Sequence, residues 1–276
     1  MSSKSIYQPK GKAREYALWA CNLYVGCSND CSYCFNKRGV LGTVLGGTTP
    51  RLKSCFKDGL DTFNTFIREL QKNRERITRD GGLLFSFSTD PCLPETVDMT
   101  MQCVAVATGM GVPCLILTKC TAWLREDEHW MDCIALSKDR LAVGFTLTGR
   151  DDLEQGAPSN AERIEAMRKL HEAGIRTFAS VEPVIGFGES LEMIRKAEPY
   201  CDHFKVGLLS GDKDAYKGYR MPADLETFIY EVDELLTMKG KTVYWKESVR
   251  RLTHSGTDDP CCVGAEYDIF KHENQI

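Results

Sequence analysis

Three cysteines, Cys27, Cys31 and Cys34, stand in the run C-S-N-D-C-S-Y-C-F, separated by three residues and then by two. Thiolates that close together on one short loop can hold an iron–sulfur cube. A [4Fe–4S] cluster takes four cysteines, one for each iron. A loop that offers three leaves one iron without a ligand from that loop, and an open iron is a place where a small molecule can coordinate and react. Structural zinc is the alternative chemistry. Zinc sites usually pair a C-x2-C with a second, distant pair of Cys or His and close on four ligands. No second C-x2-C exists in this chain. Cys261 and Cys262 are adjacent, a spacing that rarely chelates cleanly, so neither they nor Cys55 is expected to build a second cluster.

Other chemistry-bearing residues sit at the ends of apolar runs. Ser86, Ser88, Thr89 and Asp90 follow L-L-F and could bind a ligand or cap the segment after Pro91. Thr146 and Thr148 share one face, because side chains alternate along a strand. Glu182 in S-V-E-P-V-I, Lys119 in L-I-L-T-K and Lys205 in H-F-K-V-G-L-L are charges in apolar surroundings. Each needs a partner, either a ligand or another of these charges. Trp245, Lys246 and Glu247 close the last apolar run. Cys103, Cys114, Cys133 and Cys201 lie in apolar contexts and read as small core residues.

The elements that must position these residues alternate in type. Strands are expected at Leu18–Val25, Leu83–Ser88, Val112–Thr118, Leu141–Leu147, Ile175–Val181, His203–Leu209 and Lys241–Trp245. Helices are expected at Leu60–Ile77, Thr96–Gly109, Ala122–Ser137, Ala161–Ala173 (capped by Ser159 or Asn160), Ser190–Ala197 and Leu225–Met238. Strands that alternate with helices argue for an α/β fold with a parallel sheet and helices outside. The first 15 residues and the tail after Ser248 fall outside the pattern.

The chain has 276 residues, 42 % hydrophobic and 27 % charged, enough for one large α/β domain. A net charge of -4 advertises no general affinity for nucleic acid. Thirteen cysteines, a polar N-terminus and no apolar run of membrane-spanning length together lead us to expect a cytoplasmic protein. Its cysteines are then metal ligands or core residues, and no membrane partner is expected.

Five segments come in a telling order: N-L-Y-V-G-C-S-N-D-C-S-Y-C-F (22–35), F-S-T-D-P-C-L-P-E-T (87–96), L-I-L-T-K (115–119), G-A-P-S-N-A-E-R-I-E-A-M-R-K-L-H-E-A-G-I (156–175) and S-V-E-P-V-I (180–185). Over roughly residues 16–210 the chain resembles the radical S-adenosylmethionine (SAM) enzymes, in the branch of spore photoproduct lyase and its DNA-repair-photolyase-like relatives. It is more similar to the uncharacterised relatives than to true spore photoproduct lyase, and S-V-E-P-V-I also resembles a phage-protein branch.

The resemblance implies a partial (β/α)6 TIM-type barrel over 16–248, an N-terminal extension at 1–15, and a tail at 249–276 that packs on or near the barrel. It implies a [4Fe–4S] cluster on Cys27, Cys31 and Cys34, with SAM on the fourth iron. Reduction by a flavodoxin or ferredoxin would give a 5′-deoxyadenosyl radical that takes hydrogen from a substrate. Tyr33 would sit beside the adenine, with Phe35 and Asn36 near the cluster. Ser88, Thr89 and Asp90 would hold the methionine ammonium, where relatives commonly carry Gly-Gly-Glu. Thr146, Thr148 and Glu182 would contact SAM or substrate. Cys92 would be a displaced version of the lyase's hydrogen-returning cysteine, or a loop residue. The substrate would be nucleic acid, served by Arg38, Arg51, Lys53, Lys57, Arg250 and Arg251, or alternatively a protein, peptide or small molecule.

Overall fold

The structure, a computed structural model, describes residues 5–37, 39–124, 130–209, 216–253 and 259–271, with the backbone alone for 39–41. Arg38 lies outside the described residues. The chain runs β1 (Ile6–Tyr7), β2 (Ala20–Cys21), β3 (Tyr24–Val25), α1 (Gly39–Val44), β4 (Arg51–Leu52), α2 (Gly59–Arg79), β5 (Leu83–Phe85), α3 (Val97–Gly109), β6 (Cys114–Thr118), α4 (Trp130–Ser137) and β7 (Leu141–Thr146). It continues through α5 (Asn160–Glu172), β8 (Arg176–Val184), α6 (Phe187–Ala197), β9 (His203–Leu208), α7 (Ala223–Met238), β10 (Thr242–Trp245) and α8 (Glu247–Arg250).

Eight strands form one sheet in the order β1-β2-β5-β6-β7-β8-β9-β10. β1 is antiparallel to β2, and every later neighbour pair is parallel. Strand order follows chain order through the β-α units, and β1 and β10 are the two outermost strands of a partial barrel. Alternation then sorts the side chains. Phe85, Ile116, Val143, Ala179 and Phe204 join the large core shared with the helices. Leu84, Ala142 and Phe178 form a smaller cluster on the concave side, with Leu115, Leu117 and Phe87 against it.

Local sequence explains two of the helix starts. Asp58 caps α2 by accepting from Asp61 N, and Ser159 opens α5 in a reciprocal capping box with Glu162. Each such cap stabilises its helix by about 1 kcal/mol.

Three sequence expectations need correction. Leu18–Val25 is not one strand: Cys21 pairs with Phe85, while Val25 pairs with Arg51 in a separate two-stranded sheet. Between them Asn22 turns its side chain to Tyr7 and to the Phe87 backbone, which switches the chain from one sheet to the other. The strand expected to reach Ser88 stops at Phe85, and beyond it Phe87 N donates to the Asn22 side chain instead of to a neighbouring strand. The helix expected over Ala122–Ser137 is a short 3-10 turn, Ala122–Leu124, and then α4; residues 125–129 lie outside the described residues.

Both flanking segments join the barrel. Ser5 and Ile6 donate to Glu69 of α2 as β1 pairs with β2. In the tail, Cys262 bridges to Val243 of β10, and Tyr267 stacks on His203 at 4.5 Å. Among the described residues no helix is long and apolar enough to cross a membrane.

Candidate active site

Cys27, Cys31 and Cys34 lie on the loop that leaves β3, beside the C-terminal ends of the parallel strands. In parallel β/α barrels that end carries the catalytic groups. Two other loops grip this one. From the β5 side, Asn29 Nδ2 donates to Asp90 Oδ2 at 2.8 Å and Asn36 Nδ2 to Phe87 O at 3.4 Å. From the β7 side, Ser32 N donates to Leu153 O at 2.9 Å and Gly156 N to Asn29 O at 3.1 Å. Gly156 lies so close that a Cβ there would overlap Ser28 O. No larger residue fits without moving the cysteine loop.

Asp90 is the hub of the first grip. Its Oδ1 accepts from Thr118 Oγ1 at 2.6 Å and Cys92 N at 3.0 Å, and its Oδ2 from Lys119 N at 2.7 Å as well as Asn29. A carboxylate accepts about four hydrogen bonds, so protein donors fill its capacity. Ser88 Oγ donates to Tyr24 O at 2.5 Å. Of the expected ammonium ligands, Thr89 is the one whose hydroxyl is buried without a hydrogen-bond partner. Cys92 is 1 % exposed and belongs to the helix-side core. Burial, then Asp90, pushes its thiol well above the usual range.

The second grip rests on a buried ion cluster. Glu154 and Arg163 both have fully buried side chains, with Arg163 Nη1 2.7 Å from Glu154 Oε2. That pair is close but not aligned as a hydrogen bond. Arg163 also donates to Thr146 O at 2.9 Å and, through Nε, to Pro158 O at 2.9 Å. Tyr33 donates its hydroxyl to Glu154 Oε1, and burial followed by Glu154 pushes its phenol far up. Lys119 lies 3.8 Å from the same carboxylate and 5.6 Å over the Tyr33 ring. Lys119 thus finds Glu154, rather than Glu182, as its counter-ion. Thr148 Oγ1 accepts from Arg150 N at 3.2 Å and Thr148 N donates to Asn160 Oδ1 at 2.9 Å, which fixes the loop.

A second polar cluster lies on the concave side. Glu182 Oε2 accepts from Lys246 Nζ at 2.5 Å and from the Tyr16 hydroxyl, which also meets Ser180 Oγ at 2.6 Å. Gly207 makes the room: a Cβ there would sit 3.0 Å from both Glu182 Oε1 and Lys246 Cδ. Lys205 donates to the Glu15 and Tyr16 carbonyls at 3.0 Å each and lies over the Tyr16 and Tyr244 rings. Tyr16 and Glu15, which carry no sequence signal, are thus central to this cluster.

Burial, then Lys246, pushes the Lys205 ammonium down to about 7. An unfolded Lys keeps its proton to about pH 10.4. Between those values the unfolded chain binds a proton that the folded chain lacks, so stability rises with pH there by up to about 1.4 kcal/mol per unit. The contribution is complete above the unfolded value, falls as pH drops towards 7, and is flat below. Denaturation of Lys205→Met should show a shallower pH slope over this window than the native chain; equal slopes would remove Lys205 as the source.

The donor set around the cysteine loop suits an iron–sulfur cube and a polar ligand. Asn29 Oδ1 and Asn36 Oδ1 on the loop, and Thr89 Oγ1 on the segment that grips it, are buried without hydrogen-bond partners. Buried polar atoms of this kind are costly unless a partner arrives. Among the described residues the one trio of potential ligands whose atoms all lie within 4.8 Å is elsewhere, at Asp233, Cys261 and Cys262. The three loop sulfurs are therefore more widely set than a single tetrahedral zinc needs, at about 3.8 Å apart.

Comparison with known proteins places this geometry. An uncharacterized protein of Acidianus two-tailed virus is 25 % identical over 195 residues, 64 % of this chain and 62 % of that protein. An uncharacterized protein of Methanocaldococcus jannaschii is 23 % identical over 198 residues, 70 % of this chain and 71 % of that protein. Streptococcus suis SuiB, in its structure bound to precursor peptide SuiA, superimposes with a TM-score of 0.50 and 12 % identity, over 80 % of this chain and 48 % of that one. The chain thus spans less than two thirds of the viral relative and about half of SuiB. Residues 21–201, which contain the cysteine loop, both of its grips and β5 to β8, match the Radical SAM superfamily, and the chain belongs to it.

Proposed function

We propose that this chain is a radical SAM enzyme that takes a hydrogen atom from a peptide, protein or small-molecule substrate. Membership in the superfamily brings a [4Fe–4S] cluster and SAM as cofactors. Cys27, Cys31 and Cys34 would hold the cluster. When bound, the pair supplies reductive cleavage of SAM to methionine and a 5′-deoxyadenosyl radical, with the electron delivered by a flavodoxin- or ferredoxin-type protein.

The chain's own residues then hold, orient and exclude water. Asn29, Asn36 and Thr89 offer open polar atoms to the ligand, while Asp90 positions the loop from behind. Tyr33, locked to Glu154, presents an oriented ring at the cysteine loop. Thr146 and Glu182 line the concave face where the substrate would enter. The observation that carries the reading is the three-cysteine loop pinned at the strand ends with unpartnered polar atoms on it and on the segment that grips it.

The relatives above lend nothing to the photoproduct-lyase branch. The basic side chains proposed for nucleic acid are dispersed or engaged: Arg51 Nη1 donates to Gly46 O, and Arg251 pairs with Glu247 at 2.7 Å. The test is anaerobic reconstitution with iron and sulfide, followed by dithionite and SAM. Release of 5′-deoxyadenosine is expected, and its absence from iron-loaded protein would overturn the enzyme reading. Retention of DNA or RNA that weakens steeply with salt would instead favour a nucleic-acid substrate.

A further inference from the structure

Asp233 of α7, Cys261 and Cys262 bring three potential metal ligands within 4.8 Å of one another, on the helix side of β10 and away from the cysteine loop. Asp233 Oδ1 lies 3.7 Å from the sulfur of each cysteine. A tetrahedral zinc ion, with Zn–S about 2.3 Å and Zn–O about 2.1 Å, sets its sulfur and oxygen ligands about 3.6 Å apart. The three side chains already stand near one face of such a tetrahedron. Adjacent cysteines are a poor chelate on sequence grounds, but here α7 supplies the third ligand from 28 residues away.

The carboxylate is also incomplete. Asp233 is 3 % exposed, and its Oδ2 meets no N–H or hydroxyl donor among the described residues, with the Asp259 carboxyl as its neighbour. Trp245 Nε1 donates to Oδ1 at 2.9 Å, the kind of outer contact that orients a ligating carboxylate. Asp259 brings a second carboxyl beside this buried one, so two acids and two thiols meet in one place. A buried carboxylate beside two thiols and a second acid is stabilised by a dication and strained without one.

We propose that Asp233, Cys261 and Cys262 form a second, structural metal site for zinc or a similarly borderline divalent ion, with water or Asp259 in the fourth position. Binding releases the two thiol protons to solvent and involves no redox step. The ion would fasten the tail to the barrel, because Val243 N donates to Cys261 O and Val263 N to Val243 O, each at 2.9 Å. It would thereby hold β10, whose next residue is the Lys246 that pairs with Glu182.

The test uses the full chain, anaerobically loaded with iron and sulfide so that the cysteine loop is filled. Zinc is added and competed with a colorimetric chelator, and zinc and iron per chain are measured. One retained zinc per chain is expected. Asp233→Asn and Cys262→Ser should each weaken zinc by tenfold or more with iron unchanged, in line with about 10–100-fold losses for lesser, outer-shell changes. Zinc-edge X-ray absorption on the native chain, which needs no variant to fold, should show two sulfur ligands at about 2.3 Å together with oxygen. Failure of the native chain to retain zinc, equal retention by both variants, or a native Cys261–Cys262 disulfide in the intact mass would each overturn the site.

Discussion

Replacing Cys31 with alanine should remove the iron–sulfur absorbance and reduce 5′-deoxyadenosine formation by more than about 100-fold. Changes to outer partners of a metal ligand typically cost 10–100-fold in metal affinity or activity, and the loss of a ligand itself exceeds that. Cys31 is the buried member of the trio, 6 % exposed. Cys55→Ala is the matched control, since Cys55 is exposed and outside every cluster described above. Iron content and 5′-deoxyadenosine release settle the matter together. A Cys31→Ala chain that keeps both would overturn the assignment of the loop.

Arg163→Met should be the most destabilising single change in the site. It leaves Glu154 buried with Lys119, 3.8 Å away, as its remaining cation. It also strips donors from the Thr146 and Pro158 carbonyls. Breaking a buried pair by removing one partner costs about 3–5 kcal/mol. In a domain of this size that is a fall of about 10 °C in melting temperature. The double variant Glu154→Gln with Arg163→Met should recover part of the loss, because the stranded charge goes with its partner. Melting curves of the two single variants and the double decide it; strict additivity would mean that the two residues act independently. Iron uptake should fall in parallel, since residues 153–156 grip the cysteine loop.

The cysteine loop and the strand–helix alternation were legible in the sequence because both are local patterns: a spacing of ligands and a period of apolar residues. The hidden parts are those where the partner comes from far along the chain. Lys119 and Glu182 stand out as charges in apolar runs, yet their counter-ions, Glu154 and Lys246, follow only from the strand order. Arg163 did leave a trace, since it shares the buried stripe of α5 with Asn160, Met167 and Leu170. A charge on that stripe signals a buried pair. Asp90 stands out in the sequence as a carboxylate after an apolar run, but its four donors lie on three separate segments and could not be counted in advance. For Cys92, the alternation that sorts a strand's side chains gives no guide in an irregular loop after proline.

The concave cluster also sets an order of events during synthesis. Lys205 reaches back across 190 residues to the Glu15 carbonyl, and Lys246 returns from still later in the chain to Glu182 and Glu15. Contacts of such separation are slow to form and come late in folding. The ribosome releases the cysteine loop early, its second grip at 153–156 more than a hundred residues later, and the lysines of the concave face last of all. The thiols therefore pass through a long interval in which they are made but not yet enclosed. Delivery of iron and sulfide has its widest opening in that interval, and so does oxidation by air.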